Sequence, residues 1–336
     1  RQMCIRDSLE PVGFNLVTVA HGLRIGNMSK LAGKLETLNS DGIIDLEGFE
    51  TALFSACEDV QTRLRPYLKL KLNQIGVSRF LPHSQNQMHS LILRYLLAAY
   101  DSKSWVKKAD QSEAKNLLSN VPTHYLFDMV REAWSGSGDN RLWEMCWQTA
   151  TEEDEDAHLG LSSFYLQRPT EEQFKTALRT WNEEQLSKRQ KERPNVPLKA
   201  KAVLKFVYSN IVPVLKDEAE DFELEHLFPV ARIAEIIKKN PEDEGWPISA
   251  IGNLALFPKD LNRIKGANFI GDYVAAQASS ANALSPEEIM QIDKYIMTPT
   301  HQAITKGTIS TKEDFLDFCE LRFEKICTQL FTNLAI

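Results

Sequence analysis

Glu225 and His226 stand side by side in "FELEHLFP", inside an otherwise apolar run. Asn253 follows in "IGNLALF", and Asn262, Arg263 and Lys265 come in "PKDLNRIKGANF". These residue types suit metal-assisted attack on phosphorus. A glutamate carboxylate and an asparagine carbonyl are hard oxygen donors, as Mg2+ or Mn2+ prefers, and such an ion keeps several waters. A neutral imidazole takes a proton from the attacking water. Asn253 would hold that imidazole through side-chain or backbone hydrogen bonds. Arg263 and Lys265 would grip flanking phosphates. A blander reading stands beside this one. A charged pair among Leu224, Leu227 and Phe228 costs several kcal/mol unless it is satisfied, and a partner elsewhere in the chain would satisfy it equally well.

Positioning these groups takes two strands and a helix. Strands are expected over parts of 222–228 and 253–257, the second bounded by Gly252 and Pro258, with a helix carrying Asn262 after them. Neighbours on a strand point to opposite faces, so Glu225 and His226 converge only where the strand ends, twists or bulges. Pro229 marks such an end. If the pair serves a cation, the Glu225 carboxylate and the Asn262 carboxamide oxygen should lie within about 4–6 Å, with His226 on the cleft side and Asn253 near its ring or backbone.

The three segments resemble the HNH (His-Me finger) nuclease core, in the form found at the C-terminus of GmrSD-type modification-dependent restriction endonucleases. That form has an acid–His pair followed by "xxP", then "GNL" with an apolar tail, then an Asn followed by a basic residue. Here they read "EHLFP", "GNLALF" and "LNRIKGANF". HNH domains of CRISPR effectors share the arrangement. The resemblance is close over about residues 220–275 and looser from 168 to 336, where "LRFEKI" around Arg322 is similar to the terminal helix of such domains. It implies a ββα-metal core with Glu225 and Asn262 as metal ligands, His226 as general base and Asn253 as its support. It further implies Mg2+ or Mn2+ as cofactor and DNA, with modified cytosine as a candidate mark, as partner. Two departures stand out: the acid is Glu where Asp is frequent, and no zinc-binding cysteines flank the core. A weaker likeness links "SRFLPHSQNQMHSLILRYLL" to the late helical part of the NTPase-like domain preceding such nucleases. Its "DGQQR"-type motif and any Walker motif are absent, so no nucleotide is expected here and that part is expected upstream.

Around the motif the chain reads as helix. The expected architecture is mainly α with a small embedded ββα core, residues 1–8 a non-native leader resembling adapter read-through, 9–167 a helical remnant and 168–336 the nuclease-bearing part. Caps are expected at Asp45, Thr170 with Gln173, Ser285 with Glu288, and Ser310 with Glu313, and Pro122 in a first turn. At 336 residues, 43% hydrophobic and 25% charged, the composition is that of an ordinary globular protein. No apolar run approaches the ~20 residues of a membrane helix. Five scattered cysteines suit a reducing cytoplasm, with Cys319 and Cys327 on the apolar stripe of the last helix. The net charge of −7 argues against coating nucleic acid, while the basic stretch from Lys188 to Lys205 fits either a solvated helix face or a phosphate-contacting arm. His83, His89, His124, His158 and His301 lack ligand spacing and are expected at surface or core positions, and Trp181 and Trp246 in core or loop packing, with a place lining the substrate cleft as the alternative for Trp246. A second function class stays open: an inactive helical interaction module.

Overall fold

The computed structural model describes residues 9–335 apart from 22, 24–27, 69–84, 136–137, 149–157, 160–166, 192–194, 212–221, 241, 281–282 and 299–300. The expected leader, the acidic run 152–156, Arg193, His83 and the side chain of His158 lie outside the described set. In chain order the elements are α1 (Leu9–Ala20), α2 (Met28–Ser40), α3 (Leu46–Leu68), α4 (Gln85–Ala99), α5 (Ser112–Val130), α6 (Gly138–Cys146), β1 (Trp147–Gln148), β2 (His158–Leu159), α7 (Glu171–Leu186), α8 (Leu198–Tyr208), β3 (Phe222–His226), α9 (Val230–Lys239), β4 (Leu254–Pro258), α10 (Lys259–Lys265), α11 (Ile270–Ala278), α12 (Pro286–Ile296) and α13 (Lys312–Leu334). The protein is mainly helical. Its described strands form two antiparallel pairs, β1–β2 and β3–β4. No described helix is long and apolar enough to cross a membrane.

The chain divides into two compact units, Arg1–Arg65 with His83–Thr170, and Pro66–Pro82 with Glu171–Ile336. In the first, α4 is buried over most of its circumference, as its apolar sequence requires, and packs against α5 and α6. Four polar side chains on α4 go inside with it: Gln87, His89, Ser90 and Arg94. Arg94 meets Asp128 of α5 at 3.1 Å, and the indole of Trp134 donates to the same carboxylate at 2.9 Å. Pro122 does not start a helix; it sits inside α5, which begins at Ser112. A proline there removes one backbone donor, and tertiary burial of the surrounding residues outweighs that loss.

In the second unit, α8 packs against α13 and β4. The inner stripe of α13 is Phe315, Cys319, Phe323, Ile326 and Leu330, all fully buried. Asp45 caps α3 by accepting from Gly48 N at 2.8 Å, and Ser285 and Glu288 form the capping box of α12. On α13 the box is one residue later than expected, Thr311 with Asp314 rather than Ser310 with Glu313. Both pairs have the required spacing, and Asp314 also accepts from Ser310 N and Oγ, so one carboxylate gathers both caps.

Candidate active site

β3 and β4 pair antiparallel in the register Glu223↔Phe257, Glu225↔Ala255 and His226↔Leu254. Alternation sends Phe222 and Leu224 into the core and leaves Glu223 and Glu225 half-buried on the other face, under α10. Asn262 and Lys265 are three apart on α10, so they share the side turned to β3. Four polar groups meet there. Lys265 Nζ lies 2.6 Å from Glu225 Oε1. Asn262 Nδ2 donates to Glu223 Oε2 at 3.1 Å. The backbone N–H of His226 donates to the Glu225 carboxylate as well. Burial holds the Glu225 carboxyl above its ordinary range, and Lys265 and then Asn262 pull it back.

The amide N–H of Asn262 faces Glu223, and a cation held between these groups would need the amide turned over. Lys265 differs more. Expected as a surface phosphate contact, it is 1% exposed and its ammonium reaches Glu225, Gly266 O at 3.0 Å and Asn268 O at 3.1 Å. Gly266 makes this possible. Its φ of +57° with ψ of −136° favours glycine and curls the chain back over the lysine. Arg263, on the outer side of α10, is exposed to solvent.

His226 ends β3 in regular register, so alternation sets its ring on the face opposite Glu225 and not, as expected, on the cleft side beside Glu225 and Asn262. The bend that would turn it begins only at Leu227. Asn253 holds that bend. It is fully buried in the 3-10 turn Ile251–Asn253, where its carbonyl oxygen accepts from Leu227 N at 2.9 Å and its Oδ1 from Phe228 N at 2.8 Å. Its Nδ2 donates to Ile248 O at 2.9 Å. Asn253 thus positions the backbone that follows His226 and presents no group to solvent.

The turn is braced in its own way. A Cβ on Gly252 would come within 2.2 Å of Cys319 O, so only glycine lets the turn rest on the backbone of α13. One turn further along α13, Arg322 is 0% exposed and donates to the carbonyls of Ile251, Gly252, Leu254 and Ile296. Sequence reasoning assigned no role to Arg322 or to Glu223. An arginine on the inner side of an apolar stripe was the signal for the first, and period-two spacing from Glu225 for the second. Trp181 and Trp246 are core residues, as are His89 and His124, while His301 pairs with Asp293 at 3.1 Å.

Among the described residues no group of three or more His, Cys, Asp or Glu side chains gathers as a metal cage. Two carboxylates and one amide on a single face are a different donor set, and one that suits a hard cation retaining most of its water. No protein-family model matches the chain, and no curated protein or solved structure does so either.

Proposed function

We propose that the second unit is a metal-dependent HNH-type endonuclease domain that hydrolyses DNA phosphodiester bonds, as part of a modification-dependent restriction system. The observation that carries this reading is that α10 closes on β3 through Asn262, whose amide donates at 3.1 Å to Glu223 on the face that also bears Glu225. That contact joins the acid–His strand to the Asn-Arg helix in the order the motif requires. Glu225, Asn262 and the neighbouring Glu223 would hold Mg2+ or Mn2+. The chemistry supplied there by such an ion would be Lewis-acid polarisation of the phosphoryl group and charge stabilisation at the leaving oxygen. His226 would take the proton of the attacking water once its ring turns to the Glu225 side about the bend that Asn253 holds. Arg263 meets a flanking phosphate from the exposed side of α10.

One observation favours a second reading. The 2.6 Å contact of Lys265 with Glu225 is also what a structural ion pair looks like, and with it the unit would be an inactive interaction module. Incubation of the whole chain with a supercoiled plasmid separates the two. Nicking that depends on Mg2+ or Mn2+ and stops on chelation supports the nuclease. No nicking with either ion favours the module.

A further inference from the structure

We infer that Lys265 is a built-in rival of the divalent cation at Glu225 and sets how tightly this site holds it. The inference rests on the reading of Glu225 and Asn262 as cation ligands. An ammonium carries three N–H donors, and all three of Lys265 are engaged, one by Glu225 and two by the carbonyls of Gly266 and Asn268. The side chain is 2% exposed, so neither solvent nor salt screens its charge well. A cation bound to the same carboxylate would sit within a few ångströms of that ammonium, and like charges at such range repel strongly away from water. The lysine has little freedom to withdraw, because the left-handed turn at Gly266 places both carbonyls on it.

Glu223 completes the balance. It lies on the same face of β3 and is held by Asn262, while Lys265 meets Glu225, so a second carboxylate stands beside the ion pair. Its charge still draws a cation, only more weakly than two free carboxylates would. Removing the charge of Lys265 should tighten cation binding, and removing that of Glu223 should loosen it.

Mn2+ titration of the whole chain, with free Mn2+ read by electron paramagnetic resonance, tests this without any cleavage assay. Lys265→Met should bind Mn2+ roughly 10-fold or more tightly than wild type, the scale set by one like charge beside a divalent ion. Lys265→Arg, which keeps the charge, should bind like wild type, and Glu223→Gln about 3-fold more weakly. A folded Lys265→Met that binds no tighter than wild type overturns the inference, as does a Lys265→Arg that binds as tightly as Lys265→Met is expected to. Should Lys265→Met fail to fold, the Lys265 ammonium resonance of the wild type decides. It should shift as Mg2+ is added, and Mg2+ binding that leaves it unmoved overturns the inference. No Mn2+ binding by wild type or variant removes the inference together with the cation reading. Plasmid nicking with unchanged Lys265→Met affinity removes the inference alone.

Discussion

Among the described residues, Arg94 in the first unit and Lys265 in the second are each buried against a carboxylate, and the two pairs are built differently. Arg94 and Asp128 join two helices at 3.1 Å, with side chains 3% and 8% exposed. Asp128 also takes the Trp134 indole N–H, and Arg94 Nε points to the sulfur of Met145, so the pair is closed on every side. Lys265 and Glu225 join a helix to a strand end at 2.6 Å, with side chains 2% and 15% exposed. Beside them stand a second carboxylate, Glu223, and the Asn262 amide that donates to it. The first pair is finished. The second has negative charge to spare and an edge open to solvent, which is what separates a device for holding a fold from one able to take a ligand.

The contrast should break first in stability. Arg94→Met leaves a buried carboxylate uncompensated and should cost about 3–5 kcal/mol of unfolding free energy. Lys265→Met should cost less than about 2 kcal/mol, because Glu225 keeps Asn262, the His226 N–H and partial access to water. Urea unfolding of both variants reads this directly, and equal losses would make the two pairs the same kind of object.

Acid sharpens the comparison next. His124 lies in the first unit, near Arg94 and Arg168, and burial, aided by those two charges, lowers its pKa to about 3. The unfolded chain therefore binds its proton from about pH 6.5 downward while the folded chain does not, so stability is complete above pH 6.5 and falls as pH drops towards 3. The loss between pH 6.5 and pH 5 should be roughly 2 kcal/mol. His124→Gln should flatten that slope in thermal melts, and an unchanged slope would assign it elsewhere.

A smaller effect concerns a buried cation of the second unit that has no acid paired with it among the described residues. Lys205 on α8 is 2% exposed, its Nζ has no hydrogen-bond partner among the described residues, and burial lowers its pKa to about 8. Replacing it by methionine should raise stability by about 1 kcal/mol at pH 7. The gain should shrink between about pH 8 and 10.5, where the wild-type lysine becomes neutral in the fold before it does in the unfolded chain. Urea titrations at pH 7 and pH 10 measure both parts.

Much of the frame around the site was legible from local signals. β4 was readable because an apolar run lay between Gly252 and Pro258, and α12 because Ser285, Pro286 and Glu288 spell a capped start. α9, between the two strands, was not foreseen, although Ile233 and Ile237 have the spacing of a buried helix face. Lys265 was illegible for a different reason. A lysine three residues beyond an asparagine reads as surface, and what takes it inside is the turn at Gly266 together with a carboxylate forty positions earlier. Asn253 was read as a support for the ring of His226, and the structure shows it acting on the two residues that follow. Which backbone an amide holds depends on register, and register is set by the whole sheet.

Catalysis at this site stands or falls with His226. Single-turnover nicking of a supercoiled plasmid, with wild type and His226→Ala compared at saturating Mg2+, tests it most directly. A general base at this position means a loss of ~10²–10⁴-fold in rate with an unchanged melting curve. Cleavage by a folded His226→Ala protein at the wild-type rate would contradict it.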